Sequence, residues 1–282
     1  MRRREFVTAL GAVAVTWLFP GLSGAQGTTH IIGILAGTTE TDQQAQRRVL
    51  AFTHEGKNIK LEKRYSAGNP ERLPGLANDL VQLKCAMIVA EAAQAVDAAR
   101  SATRSIPIVM VYVGDALAPG YVASLAHPGG NITGQTLMAT DQAAKRLELM
   151  KKLSPDIKRI AVISNLNASG HIQQRKEMDA AAPTLEVTLL QFPMRSAAEL
   201  DATLEAAVKG SAQAIITMED PMVESNRARI TAFALDHRLP VMGEFKPMAE
   251  SGGLISYGPN QVAMWGRTAI YVDKIFKGAI PG

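Results

Sequence analysis

Residues 30–35 read His-Ile-Ile-Gly-Ile-Leu, a short apolar run of the kind that forms a buried β-strand. Further apolar runs begin 29, 27 and 22 residues apart along the chain, at Ile59–Tyr65, Ala86–Ala90 and Ile108–Tyr112. A strand, a helix and the next parallel strand together need about 30 residues. The spacing therefore predicts a parallel β-sheet with helices packed on both of its faces.

The same spacing occurs again further along the chain. A second series of apolar runs begins about 27 residues apart at Ile160, Val187, Ala214 and Leu239. Between the two series, residues 127–131 (His-Pro-Gly-Gly-Asn) are dense in turn formers. Two successive parallel sheets fit this pattern better than one long sheet, so we predict an α/β fold with two Rossmann-like lobes.

Two short strand-like segments, one before the second series of apolar runs and one after it, predict where the lobes divide. Residues 132–136 and 254–258 both have strand-like sequences next to turn formers. We predict that residues 28–134 and 257–282 form lobe 1 and that residues 135–256 form lobe 2. Two crossings between lobes suit hinge closure around a ligand, because a few residues can absorb the rotation.

The first 25 residues have the composition of an export signal. A positive start at Arg2–Arg4 is followed by the apolar stretch Val7–Phe19, which is too short to span a bilayer comfortably. We predict a signal peptide at residues 1–25, cleaved after Ala25, and a mature protein in the periplasm. Residues 3–6 (Arg-Arg-Glu-Phe) also resemble a twin-arginine signal, and the sequence leaves that route and the ordinary secretory route equally open.

Composition and charge exclude several classes of protein. Hydrophobic residues make up 47% of the 282 residues and charged residues 20%, as in folded globular proteins. The formal net charge is +4, half of which comes from Arg2–Arg4 and Glu5, and no run of five basic residues follows. We therefore predict no nucleic-acid partner.

The chain lacks the usual local signatures of catalysis. It contains no Gly-x-Gly-x-x-Gly, P-loop, Gly-x-Ser-x-Gly or His-Glu-x-x-His motif. Its five histidines lie far apart and its one cysteine cannot complete a metal site with them, so we predict each histidine on the surface or in a turn. We predict no enzymatic activity, no cofactor and no metal.

Candidate ligand-binding residues follow from the positions of the strands. In parallel sheets, ligands bind beyond the carboxyl ends of the strands, where loops and helix N-termini meet. The polar residues predicted at these positions are Thr38, Thr39, Glu91 and Asp115 in lobe 1, Asn165, Asn167, Glu219, Asp220 and Glu244 in lobe 2, and Tyr257 at the second crossing between the lobes. We predict that they contact a small-molecule ligand.

Most of these residues also have a purely structural interpretation. Thr38 and Thr39 precede a predicted helix whose N–H groups suit a ligand carboxylate, but their hydroxyls could equally cap that helix. Glu91 could hold a ligand ammonium or stabilise the first turn of a helix. Glu219 and Asp220 stand before a proline and fit either a helix cap or contact with a cationic group of the ligand.

Longer motifs resemble a known family. Residues 120–134 read Gly-Tyr-Val-Ala-Ser-Leu-Ala-His-Pro-Gly-Gly-Asn-Ile-Thr-Gly, and the match extends through Lys145–Leu149, Gly252–Pro259 and Tyr271–Gly278. With these motifs the chain resembles the tryptophan/tyrosine-type substrate-binding proteins of ABC transporters. The resemblance implies a bilobed, type I periplasmic binding protein-like fold with three crossings. Similar proteins continue beyond the position of Gly282 into a last strand and helix of lobe 2, so the usual C-terminal end is expected to be missing here.

The resemblance also implies a role in transport. We expect the periplasmic solute-binding component of an ABC importer, a monomer that captures a small polar, amino-acid-like solute by hinge closure and delivers it to a membrane permease. The residues leave two alternatives, a ligand-sensing module for a membrane receptor and a small periplasmic enzyme on the same scaffold. An enzyme would need a nucleophile and a base within hydrogen-bond reach, whereas a binding protein needs only complementary polar contacts.

Overall fold

A computed structural model describes residues 29–52, 59–168 and 170–282, and the predicted signal peptide lies outside these ranges. The strands are β1 (His30–Ala36), β2 (Ile59–Tyr65), β3 (Met87–Glu91), β4 (Ile108–Val113), β5 (Ile132–Thr136), β6 (Arg159–Asn165), β7 (Thr188–Met194), β8 (Ala214–Thr217), β9 (Val241–Gly243) and β10 (Ile255–Ser256). The α-helices are α1 (Gln43–Phe52), α2 (Leu73–Gln82), α3 (Ala92–Ala102), α4 (Ala139–Leu153), α5 (Gly170–Ala181), α6 (Leu200–Lys209), α7 (Pro221–Ser225), α8 (Arg227–Asp236), α9 (Lys246–Glu250) and α10 (Gln261–Phe276). None of the helices in these ranges has the length and hydrophobicity needed to cross a bilayer.

The strands form two separate five-stranded sheets. Their orders are β2-β1-β3-β4-β5 and β10-β9-β8-β6-β7, and all neighbouring strands pair in parallel. We call the part built on the first sheet lobe 1 and the part built on the second sheet lobe 2. The prediction of an α/β fold with two Rossmann-like lobes is confirmed, and the arrangement is that of type I periplasmic binding proteins.

Burial of both sheet faces explains the apolar runs. The central strands β1, β3 and β4 of lobe 1 are almost wholly buried, because helices cover both faces of a parallel sheet. At the edge, β2 carries charged residues such as Lys60 and Glu62, which discourage pairing with another chain. Helix α2 buries Leu73, Ala77 and Leu80 along one stripe, as the helical period requires.

The described part of the chain passes between the two lobes twice. The first crossing follows β5 at Leu137 and Met138, and the second lies between β10 and α10, at residues 257–260. Met138 has φ of +48°, a left-handed conformation that is rare for residues other than glycine. Helix α4 follows at once and packs Leu147 and Met150 into the core of lobe 2, whereas α10 returns to pack on β4, β5 and α1 of lobe 1.

The strand orders bring loops of both lobes to one place. In lobe 1, β2 and β3 lie on opposite sides of β1, and in lobe 2, β7 and β8 lie on opposite sides of β6. Ligands bind at the carboxyl ends of parallel sheets where the order reverses in this way. Here the loop after β1 meets the start of α7, since a Cβ on Gly37 would lie only 2.3 Å from the Cβ of Pro221. The lobes are therefore in direct contact along this edge.

Candidate functional site

Two small adjoining cavities lie where the lobes meet, and we call them the cleft cavities. The residues that line both of them are Ala92, Tyr112, Leu137, Glu219 and Asp220. Their volumes are about 30 and 20 Å³, so each has room for roughly one water molecule. A larger solute can therefore enter only when the lobes separate or the lining side chains move.

A buried arginine of lobe 1 connects the two sides of the cleft. Arg48, on α1, has its Nη2 atom 3.2 Å from Oε1 of Glu91, and its Nη1 atom donates a hydrogen bond to Oε1 of Glu224. Glu224 lies on α7 of lobe 2, so the ion pair spans the interface. The guanidinium carbon also lies 5.7 Å from the ring centre of Tyr112. All of these side chains are buried, and removing one partner of such a pair typically costs about 3–5 kcal/mol.

The protonation of this cluster follows from its burial. Burial raises the pKa of Glu91 to about 7, because the opposing effect of Arg48 is offset by the negative charges of Glu224 and Asp42. Burial alone would lower the pKa of Arg48, but the two glutamates outweigh it and raise that pKa above its usual value. Arg48 is thus always charged, whereas Glu91 exchanges a proton near neutral pH.

Two adjacent acids occupy the loop between β8 and α7. Asp220 caps α7, since its Oδ1 atom accepts the Val223 N–H at 2.9 Å, and its other oxygen accepts a hydrogen bond from the Asn165 amide. Glu219 has a buried Oε2 atom without a hydrogen-bond partner. Burial, with the nearby charges of Glu224 and Glu244, raises the pKa of Glu219 well above its ordinary value. Both carboxylate oxygens of Asp220 therefore have hydrogen-bond partners, whereas Oε2 of Glu219 has none.

A second buried arginine lies behind the cleft in lobe 2. Arg146, on α4, has its Nη2 atom 3.8 Å from Oε2 of Glu244 and donates from the same atom to Oε1 of Gln174 at 3.0 Å. The Oε1 atom of Glu244 is buried and makes no hydrogen bond. Burial raises the pKa of Glu244, and Arg146 only partly opposes the effect.

His171 corrects one prediction. It lies on α5 with only 3% of its surface exposed, and its Nε2 atom is 3.2 Å from the Glu219 carbonyl oxygen. Burial lowers its pKa. The prediction that every histidine lies on the surface or in a turn is therefore wrong for His171, because α5 packs its first turn against the cleft; His54 lies outside the described residues.

The structure brings four of the ten predicted site residues together. Glu91, Glu219, Asp220 and Glu244 line the cleft cavities. Asn165 is buried directly behind them and holds Asp220 in place.

The other five predicted residues do not line the cleft cavities. Thr38 is buried with its hydroxyl unpartnered, and Thr39 lies in the turn before α1, where its carbonyl accepts the Asp42 N–H. Asp115 lines a separate cavity of about 260 Å³ and accepts hydrogen bonds from two backbone N–H groups in its own loop. Asn167 and Tyr257 are exposed. Their predicted contacts with a ligand remain predictions.

Sequence reasoning missed residues that reach the cleft from inside helices. The most important are Arg48, Arg146, Gln174 and Glu224, together with Tyr112 on β4. A signal for Arg48 does exist in the sequence, because it stands on the same apolar stripe as Val49 and Phe52. A charged residue on a buried stripe needs a buried partner, and that partner is an acid of the cleft.

Two parallel sheets that meet across a charged cleft define a bilobed solute-binding protein. The family model for ABC transporter substrate binding proteins matches residues 51–282, and the chain belongs to this family. The resemblance found in the sequence is thereby confirmed. Among the described residues, no cluster of histidine, cysteine and acidic side chains could hold a metal ion.

Proteins of known structure or function are similar along most of the chain. A tyrosine-binding protein of Clostridioides difficile is 26% identical over 205 residues, which are 72% of this chain and 58% of that protein. A Streptococcus pneumoniae ABC domain in complex with L-Trp has a TM-score of 0.80 at 22% identity, covering 90% of this chain and 87% of the other. A ligand-free, open substrate-binding protein with adhesive properties from Clostridium difficile has a TM-score of 0.59 at 22% identity, covering 89% and 86%.

Proposed function

We propose that this chain is the periplasmic solute-binding component of an ABC importer. It captures a small polar, amino-acid-like solute in the cleft and delivers it to a membrane permease as a monomer, without covalent chemistry and without a cofactor. The observation that carries the proposal is the set of charged side chains from two separate lobes that are buried against one another at the carboxyl ends of both sheets. Burying unpaired charge is costly in a core, but it is useful where a polar ligand completes the pairing.

The proposal divides the chain into two moving lobes. The proposed boundaries are residues 28–134 and 257–282 for lobe 1 and residues 135–256 for lobe 2. Gln135 and Thr136, which end β5 in the first sheet, then belong to the crossing that acts as the hinge. The two separate five-stranded sheets support a division into two lobes. The L-Trp complex fits the chain with a TM-score of 0.80 and the ligand-free, open structure with 0.59 at the same identity, as expected if this arrangement of lobes is a closed one.

The ends of an amino-acid-like solute have distinct partners in the cleft. The first residues of α3 line a cleft cavity, and the free N–H groups of a helix N-terminus suit a carboxylate. Glu91, Glu219 and Glu244 offer carboxylates to an ammonium group. Thr38, Thr39, Asp115, Asn165, Asn167, Asp220 and Tyr257 complete the proposed set of ligand-binding residues.

A ligand screen tests the proposal. The purified mature chain is melted in the presence of single amino acids, small carboxylates and nucleosides, and its radius of gyration is measured by small-angle X-ray scattering with each compound that raises the melting temperature. A ligand at a hundred times its Kd stabilises the folded state by about 2.7 kcal/mol, so a binding solute raises the melting temperature and reduces the radius of gyration. A panel without any stabilising compound contradicts the proposal, and turnover of a compound supports an enzyme instead.

The cellular part of the proposal needs a separate experiment. Export through the predicted signal peptide places a C-terminally tagged chain in the periplasmic fraction with its N-terminus at residue 26. Crosslinking in intact cells then recovers a membrane permease. Recovery of a receptor instead of a permease would support the sensing alternative.

A further inference from the structure

The walls of the cleft cavities contain more acidic than basic side chains. Five acids line these cavities, namely Glu91, Glu219, Asp220, Glu224 and Glu244. No lysine or arginine is among the described residues that line either cavity. A site with this lining favours a cation over an anion of the same size.

The two arginines behind the walls leave part of this charge unbalanced. Arg48 is shared between Glu91 and Glu224, and Arg146 lies near Glu244 at 3.8 Å. Within the described residues, Glu219 forms no ion pair, and Asp220 is balanced by hydrogen bonds from the Asn165 amide and from backbone N–H groups and by the nearby His171 imidazole. If all of these groups are ionised, the five acids that line the cavities exceed the two arginines, Arg48 and Arg146, by three negative charges.

Two of the acids that line one cavity also have an oxygen atom without a hydrogen-bond partner. Glu244 has only 2% of its surface exposed, yet its Oε1 atom has no partner, and the Oε2 atom of Glu219 is equally without one. Both side chains line the larger cleft cavity. Buried acceptors without a donor cost about 1–3 kcal/mol each, so a ligand that supplies N–H donors at these atoms gains more than the ordinary free energy of a hydrogen bond.

We propose that the solute of this cleft is an organic cation with net positive charge, a basic amino acid or a diamine, whose amino groups contact Glu219 and Glu244. This inference rests on the proposed function. A neutral amino acid brings one ammonium and one carboxylate, and therefore leaves the excess charge of the walls in place. A second ammonium or a guanidinium adds one positive charge, which balances one of the excess acids. The rings of Tyr112 and Phe245 on the cavity walls can face a cation without cost.

The proposal is tested by calorimetric titration with matched solutes. L-Lysine, L-arginine and putrescine are compared with L-tyrosine, L-tryptophan and norleucine, which resembles lysine without its second amino group. We expect lysine or putrescine to bind at least tenfold more tightly than norleucine. The variant Glu219→Gln keeps the shape of the side chain and removes the carboxylate, and should weaken binding of lysine or putrescine at least tenfold and reduce their preference over norleucine.

A matched control separates charge in the cleft from charge elsewhere in lobe 2. Glu148 on the surface of α4 pairs with Lys145 at 2.9 Å, so Glu148→Gln should bind every solute as the unmodified chain does. If L-tyrosine or L-tryptophan binds as tightly as lysine, and Glu219→Gln changes neither affinity, the inference is wrong while the proposed function stands. If no solute of either group binds, both fail. Circular dichroism and melting curves of each variant establish that it is folded.

Discussion

An alanine at position 37 should hinder closure of the lobes without disturbing lobe 1. Gly37 lies in the loop after β1, and its φ is not in the left-handed region, so its backbone accommodates alanine locally. The only neighbour that the new methyl group would strike belongs to lobe 2, where the Cβ and Cγ of Pro221 would both lie at 2.3 Å. Ordinary contact between carbon atoms begins near 3.5 Å, so the lobes must move apart by about 1 Å.

The size of the effect follows from the cost of such an overlap. Inserting a methyl group into a well-packed contact typically costs about 1–3 kcal/mol. Because the cost falls only on the closed arrangement, Gly37→Ala should weaken solute binding by about 5- to 150-fold while the melting temperature of the solute-free chain hardly changes. Calorimetric titration measures the first quantity and circular dichroism the second.

The control for this experiment is another glycine of lobe 1. Gly75 lies in helix α2, and a Cβ there would meet no atom within 4 Å. Gly75→Ala should therefore leave binding unchanged and stabilise the fold by up to about 1 kcal/mol through its helix propensity. If Gly37→Ala binds the solute as tightly as Gly75→Ala does, contact between the loop after β1 and α7 is not part of the bound state, and the reasoning fails.

Two further predictions concern the buried ion pairs. Arg48→Met leaves two glutamates buried without a cation and should lower the free energy of unfolding, measured in urea, by about 3–5 kcal/mol. Combining Arg48→Met with Glu91→Gln should recover part of this loss. Equal stability of the unmodified chain, the single variant and the double variant would contradict the assignment of Arg48 as the partner of these glutamates. Burial raises the pKa of Glu91 from an ordinary value of 4.5 to about 7 in the folded chain, where Arg48 opposes the shift and Glu224 and Asp42 add to it. Between these two pKa values, the folded chain holds a proton on Glu91 that the unfolded chain releases. Protonation of Glu91 therefore adds at most about 3 kcal/mol to the free energy of unfolding; this contribution is fully present below pH 4.5 and is lost as the pH rises through 7. Unfolding of Glu91→Gln between pH 5 and 8 should show a smaller slope, and an unchanged slope would assign the proton elsewhere.

The fold could be predicted from the sequence because it depends on a simple pattern of apolar runs that repeats along the chain. Fully buried parallel strands require continuous apolar runs, and the helix between two strands fixes their spacing near 27 residues. The runs that begin at His30 and Ile160 accordingly became central strands of two sheets. The resemblance to substrate-binding proteins pointed to the same architecture.

The site could be predicted from the sequence only in part, because some of its residues do not lie at strand ends. Glu91, Glu219 and Glu244 stand at or directly beyond strand ends, so the rule that ligands bind there selects them. Arg48 and Arg146 belong to helix interiors, and their partners are distant in sequence, so neither local pattern nor spacing connects them. His171 follows the same logic, since its burial depends on how α5 packs across the cleft.

The central claim is that a solute is held between two lobes that close on it. Spin labels on Glu71→Cys in lobe 1 and Ala228→Cys in lobe 2, both exposed positions, report the distance between the lobes by pulsed electron resonance, and the native Cys85 is buried. Addition of a solute that raises the melting temperature should shorten this distance and narrow its distribution. An identical distribution with and without that solute would show that binding does not close the lobes.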